Sequence, residues 1–203
     1  MIKNIIFDWS GVLSNDIIPV YKGTMGVFRR LGLKELSFKE YKKEFVLPYM
    51  NFYRKFTDTP KEKVDDLFFQ EFSLVDGPKP FPKAKKTLED LKRKGIRIVL
   101  LSSHPEEKVK EEMERYNFQD FFVDINSSVH DKVKAIKGIL EKNNFIAKET
   151  SYLGDMTHDI DAGKSVGVTT VAVCWGYQLK EKLSKKNPDF LIEDLDEIVK
   201  ILN

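Results

Sequence analysis

The sequence predicts an α/β fold, a doubly wound parallel sheet interrupted by an inserted helical domain. Three observations carry this expectation. Five short apolar runs each end abruptly in polar or glycine-containing loops, and helix-period segments lie between them. The first two runs also stand about 90 residues apart, where a strand-helix-strand unit needs only roughly 30.

Ile2 to Phe7 is broken only by Lys3 and Asn4, then runs into Asp8-Trp9-Ser10-Gly11, as a buried strand entering a loop does. The pattern recurs in Arg97 to Leu101 before Ser102-Ser103-His104-Pro105, and in Phe121 to Ile125 before Asn126-Ser127-Ser128. Ser151 to Leu153 meets Gly154-Asp155, and Thr169 to Val173 leads towards Trp175-Gly176. Ala84, Leu88 and Leu91 recur at helical spacing, as do Val133, Ile136 and Leu140, and Leu195, Ile198 and Leu202. In a parallel sheet covered on both faces, ligands sit beyond the carboxyl ends of the strands, so the polar strand ends are the candidate site.

Residues 16–79 are rich in helix formers and aromatics, from Tyr21 and Phe28 through Phe52 and Tyr53 to Phe72. Turn-forming segments, Ser14-Asn15-Asp16 and Asp76-Gly77-Pro78-Lys79-Pro80-Phe81-Pro82, bound this stretch. The expected division is a core of residues 1–15 and 80–203 carrying a helical domain of residues 16–79. The aromatics are expected to form that small domain's core.

The chain has 203 residues, 41% apolar and 33% charged, which excludes a disordered or collagenous protein. Its longest apolar runs are far below the roughly 18 residues needed to span a bilayer, so no membrane helix is expected. Lys and Arg total 34 against 32 Asp and Glu, a net charge of +2; that balance predicts no nucleic-acid or membrane surface. An acid at position 8 interrupts the stretch a signal peptide would need, and a cytoplasmic protein is expected. The single cysteine, Cys174, cannot form an internal disulfide, and its apolar neighbours predict a buried core position.

Asp8 at a strand tip is a candidate nucleophile, since a carboxylate attacking a phosphoryl group divides one difficult displacement into two easier ones. Asp155 and Asp159, four apart after another strand, suit a hard cation with oxygen ligands such as Mg²⁺. Ser102 ends a third strand and can donate a hydroxyl to a phosphate oxygen. Lys132, at a helix start, can offset charge on nucleophile and substrate.

Asp8-Trp9-Ser10-Gly11-Val12, Ser102, Lys132 and Gly154-Asp155-x-x-x-Asp159 together resemble the four motifs of the haloacid dehalogenase-like hydrolase superfamily, in their order and spacing. The stretch from Asp159 to Tyr177 is similar to phosphoglycolate-phosphatase-type members, and the insertion matches that group's helical cap. The resemblance implies a Rossmann-like core and a mobile cap that closes over a small phosphorylated metabolite. It also implies an aspartyl-phosphate on Asp8, and Mg²⁺ held by Asp8, Asp155 and the backbone carbonyl of Ser10, with Asp159 in support. Ser102 and Lys132 would bind the phosphoryl group, with Ser103 competing for the role of Ser102.

One position departs from the family. Most of its phosphatases carry a second aspartate two residues after the nucleophile, which protonates the leaving alcohol and then activates water. Ser10 occupies that position, and losing a positioned acid-base typically removes roughly 10²–10⁴-fold of rate. Two alternatives follow from the resemblance. One is C–P bond cleavage like that of phosphonoacetaldehyde hydrolases, with Lys42 or Lys43 forming a Schiff base. The other is a catalytically weakened protein that binds phosphate or a partner. His104 is expected to be an exposed loop residue, with contact to the substrate as the alternative, and His130 and His158 structural. The substrate's identity and the oligomeric state leave no readable pattern.

Overall fold

The structure, a computed structural model, describes residues 1–202. They form two compact units: Met1–Asn15 with the chain from Lys79 onward, and Asp16–Pro78. In chain order the elements are β1 (Asn4–Asp8), β2 (Ser14–Asn15), α1 (Ile17–Arg30), α2 (Phe38–Glu44), α3 (Tyr49–Tyr53), α4 (Lys61–Phe72) and β3 (Lys79–Pro80). There follow α5 (Ala84–Arg93), β4 (Arg97–Leu101), α6 (Glu106–Tyr116), β5 (Asp124–Asn126), α7 (Lys132–Lys142), β6 (Thr150–Gly154), α8 (Thr157–Val166), β7 (Thr169–Val173), α9 (Lys180–Ser184) and β8 (Phe190–Ile192).

Six strands make one parallel sheet in the order β5-β4-β1-β6-β7-β8. Because side chains alternate along a strand, neighbouring apolar residues enter different layers. Ile5, Phe7, Ile98 and Leu100 pack with Leu88 of α5 and Val109 and Met113 of α6. Ile6, Val99, Leu101 and Tyr152 pack on the other side with Ile136 and Ile139 of α7 and Ala162 of α8. Both faces are thus covered, which explains why these strands read as continuous apolar runs. The strand β1 lies between β4 and β6, with Asp8 in register with Leu101 and Phe7 with Leu153. Three chain segments therefore leave the sheet side by side at the point where the strand order reverses. No helix among the described residues is long and apolar enough to cross a membrane.

Several sequence expectations are corrected. The run from Phe121 to Ile125 is not one buried strand: residues Gln119–Phe121 form a 3-10 turn, and Val123 and Ile125 are exposed. The reason is position, because β5 is an edge strand while Phe121 and Phe122 turn inward against the core. A sixth strand, β8, was not visible as a run, since Phe190 to Ile192 is too short to display a period. The helix expected around Leu195, Ile198 and Leu202 is a 3-10 segment, Leu195–Ile201. Cys174 is half-buried, just past the end of β7, and not a core residue.

In the inserted unit, Phe28, Tyr41, Phe45, Phe52, Tyr53 and Phe56 form a contiguous cluster with ring centroids 5.1–6.2 Å apart. Gly23 and Gly26 let α1 approach α4. A Cβ on Gly23 would lie 3.1 Å from the Phe68 ring, and one on Gly26 only 2.4 Å from a Glu71 carboxylate oxygen. Ser37 and Glu40 form a reciprocal capping box that starts α2. Lys42 lies over the Phe38 ring, 6.0 Å from its centroid, and Lys43 is exposed.

Candidate active site

Asp8 is the last residue of β1 and is 6% exposed. Its Oδ1 accepts the backbone N–H of Trp9 at 2.7 Å, and its Oδ2 accepts from Lys132 Nζ at 2.5 Å. Lys132 is the first residue of α7, and Asp131 fixes that start by accepting the Lys134 N–H at 3.0 Å. The same ammonium donates to Asp159 Oδ1 at 2.5 Å, so one lysine joins the carboxylate that ends β1 to one in the first turn of α8.

Asp159 lies in the first turn of α8, where an acid favours the helix dipole. Its Oδ2 accepts the Met156 N–H at 2.9 Å and its Oδ1 also accepts from Tyr152 Oη at 3.0 Å. Nε2 of His158 lies 3.3 Å from the same Oδ1, so a histidine expected to be merely structural borders the cluster. Asp155, just past β6, is 2% exposed, and its Oδ2 accepts the Tyr177 N–H at 2.5 Å.

Asp8, Asp155 and Asp159 each offer an oxygen within 4.8 Å of the others. Burial pushes Asp8 up to about 6, with Lys132 opposing and Asp159 adding to the rise. Burial, then the charges of Asp159 and Asp8, raise Asp155 well above the carboxylate range. Burial also acts to raise Asp159, but Lys132, His158 and its hydrogen bonds hold it below its ordinary value. Lys132 stays charged despite burial, because Asp159 and Asp8 raise it well above its ordinary value. Three buried carboxylates thus face one ammonium. A hard divalent cation with oxygen ligands supplies the charge this donor set lacks, so the residues present fit Mg²⁺.

Glycines make the cluster possible. A Cβ on Gly11, which has φ +72°, would lie 2.1 Å from Asp155 Oδ2, and one on Gly176 would lie 2.2 Å from the same atom. A Cβ on Gly154 would meet that of Asp159 at 2.3 Å. Gly11, Gly154 and Gly176 were legible as loop residues, but their pairing with particular carboxylates was not.

Of the residues expected at the site, Asp8, Lys132, Asp155 and Asp159 are brought together. Ser102 is fully buried one residue beyond β4, where its Oγ accepts the His104 N–H at 3.1 Å. Ser103 is exposed and lies outside the buried cluster. Ser10 is half-buried in a turn closed by the Gly11 N–H donating to the Ser14 carbonyl at 3.0 Å. His104 is half-buried, not exposed, and burial, with the Lys108 charge, pushes its imidazole down to about 4. Tyr152 and the amides of Trp9 and Tyr177 were not foreseen. The backbone donors carry no sequence signal, and Tyr152 reads simply as an apolar strand residue.

A family model described as haloacid dehalogenase-like hydrolase matches residues 5–173. A phosphoglycolate phosphatase of Vibrio parahaemolyticus is 30% identical over 127 residues, covering 60% of this chain and only 56% of that protein. A phosphoglycolate phosphatase of Aquifex aeolicus is 27% identical over 215 residues, covering 98% of this chain and 96% of its own. Among solved structures, a haloacid dehalogenase-like family protein from Streptococcus pneumoniae shares the fold, with a TM-score of 0.83 at 18% identity over 100% of this chain and 99% of its own.

Proposed function

The chain belongs to the haloacid dehalogenase-like hydrolase family, and we propose that it is a Mg²⁺-dependent phosphohydrolase acting on a small phosphorylated metabolite through Asp8. The observation that carries this reading is the convergence of Asp8, Lys132, Asp155 and Asp159 beyond adjacent strand ends. Asp8, Asp155 and the Ser10 carbonyl, supported by Asp159, would hold Mg²⁺, which when bound neutralises charge and polarises a phosphoryl oxygen.

The chain's own groups divide the remaining work. The Trp9 amide occupies Asp8 Oδ1 and the Lys132 ammonium occupies Oδ2, so the carboxylate is held in one orientation. An Asp8 oxygen attacks phosphorus, the bond to the leaving oxygen breaks with its electron pair, and an aspartyl-phosphate forms. Water then attacks that phosphorus and returns Asp8 as a carboxylate. The Lys132 charge offsets the negative charge that gathers on the phosphoryl oxygens. The Ser102 Oγ uses a lone pair for the His104 amide, which leaves its proton for a phosphoryl oxygen. Ser10 neither supplies nor accepts a proton near neutrality, so the first half of the cycle is slow for a poor leaving group, whose oxygen must take its proton from water, and the second half is slow whatever the substrate.

The test is phosphate release from a panel of phosphorylated metabolites with and without Mg²⁺. Phosphoglycolate belongs in that panel because two relatives are named for it. Mg²⁺-dependent release by the wild type and none by Asp8→Asn is expected. Equal release by the two proteins, or no release from any member of the panel, overturns the reading.

A further inference from the structure

Trp9 is joined to Asp8 by its backbone and to the distant helix α6 by its side chain. Its N–H donates to Asp8 Oδ1, while its indole Nε1–H donates to Glu112 Oε2 at 2.7 Å. The hydroxyl of Ser14 donates to the same Glu112 oxygen at 2.7 Å. Ser14 Oγ is also 3.0 Å from Tyr116 Oη. Because the single Ser14 proton is directed to Glu112, Tyr116 is the donor in that contact. Tyr116 also stacks on the Trp9 ring, with centroids 5.7 Å apart and planes 17° from parallel.

The loop between these tethers is short and closed on itself. The N–H groups of Leu13 and Ser14 both donate to the Trp9 carbonyl, at 3.0 and 2.9 Å. Ser10 and Gly11 therefore lie between two residues that one carboxylate holds. Glu112 is 2% exposed within an apolar cluster, and its Oε1 is buried without a hydrogen-bond partner. A carboxylate in that position is expensive, and an apolar residue would fill the space at lower cost. Its two hydrogen-bonded contacts both reach the loop that follows the nucleophile.

We propose that Glu112 is a positioning residue of the active site: by gripping Trp9 and Ser14 it fixes the loop between them and keeps the Trp9 amide directed at the Asp8 carboxylate. Glu112→Gln preserves the shape and keeps an oxygen that can accept both donors, but a neutral amide oxygen accepts more weakly than a carboxylate oxygen, so the grip on Trp9 and Ser14 loosens. Its effect then reaches Asp8 through Trp9.

Two readouts on the full chain test this, and only the kinetic one rests on the proposed function. In ¹⁵N-labelled protein without metal, the Trp9 backbone amide proton, deshielded by its bond to Asp8, should move upfield in Glu112→Gln. An unmoved resonance overturns the proposal. With p-nitrophenyl phosphate and Mg²⁺, Glu112→Gln should lower kcat by about 10-fold or more at unchanged KM. In a Trp9→Phe/Ser14→Ala background, which lacks both donors, the same substitution should change kcat by less than about 2-fold. An undiminished loss there, or a loss confined to KM, also overturns it. A wild type inactive on this ester, with the Trp9 amide shifting as expected, removes the hydrolase reading and supports the positioning role. Should Glu112→Gln not fold, Ser14→Ala removes one donor without altering residue 9. A Trp9 amide unshifted in that variant overturns the proposal.

Discussion

Asp8 combines burial, a lysine partner and a second acid nearby, and the balance leaves its pKa at about 6 against an ordinary 3.8. Between those values the folded, metal-free chain holds a proton that the unfolded chain has released. The resulting stabilisation is complete below the unfolded value and is lost as pH rises through 6. Full ionisation removes on the order of 2–3 kcal/mol. Asp8→Asn cannot ionise, so in EDTA its stability relative to wild type should improve by about that amount between about pH 4 and 7. Urea melts of both proteins across this range check the expectation, and a constant difference refutes it. The same variant should retain the fold yet lose all phosphatase activity, because an amide has nearly the carboxylate's shape and far less nucleophilicity. Ser10 makes a second prediction. With an aryl phosphate, whose leaving group needs little protonation, the first step should outrun the second and give a rapid-quench burst of aspartyl-phosphate. Ser10→Asp should then accelerate turnover, by roughly 10²-fold or more if the full acid-base contribution is restored. A fast wild type without a burst would assign proton transfer to another group.

At the scale of elements, glycines separate two kinds of constraint. Gly138 is exposed within α7, and a Cβ there would meet nothing within 4 Å. Gly138→Ala should therefore stabilise the protein by about 0.5–1 kcal/mol through helix propensity, raising Tm by roughly 1–4 °C. Gly176, in the loop after β7, has no such freedom, because its Cβ would lie 2.2 Å from Asp155 Oδ2. Gly176→Ala should displace that carboxylate and weaken Mg²⁺ binding by about 10-fold or more. Calorimetric titration of the two variants distinguishes these effects, and wild-type affinity in Gly176→Ala would show that the loop can yield. The helix α7 has both roles: its apolar face packs under the sheet, and its first residue is Lys132.

For the whole molecule, a cation that binds only the assembled carboxylates couples metal to folding. Mg²⁺ should raise Tm, EDTA should reverse the gain, and the gain should shrink as pH falls through 6 and Asp8 takes up its proton. Asp155→Ala should abolish the response, and a Tm that ignores Mg²⁺ in the wild type removes the metal assignment. Much of this architecture was legible in the sequence, for local reasons. Apolar runs such as Arg97 to Leu101 mark strands, spacings such as Ala84-Leu88-Leu91 mark helices, and the acids and serine at strand ends mark the site. Periodicity shows which face of an element is apolar, but not which strand lies beside it or in what register. The inward turn of Phe121, the exposure of Val123 and the burial of His104 depend on those neighbours. So do the meetings of Lys132 with Asp8, 124 residues away in sequence, and of Glu112 with Trp9, 103 residues away. The α/β pattern, and the acids and lysine that follow the strands, are set by local spacing and can be read from the residues alone. That Asp8 and Asp159 share Lys132, and that Glu112 of α6 meets Trp9, follows instead from strand order and register, which bring residues distant in the chain within bonding range.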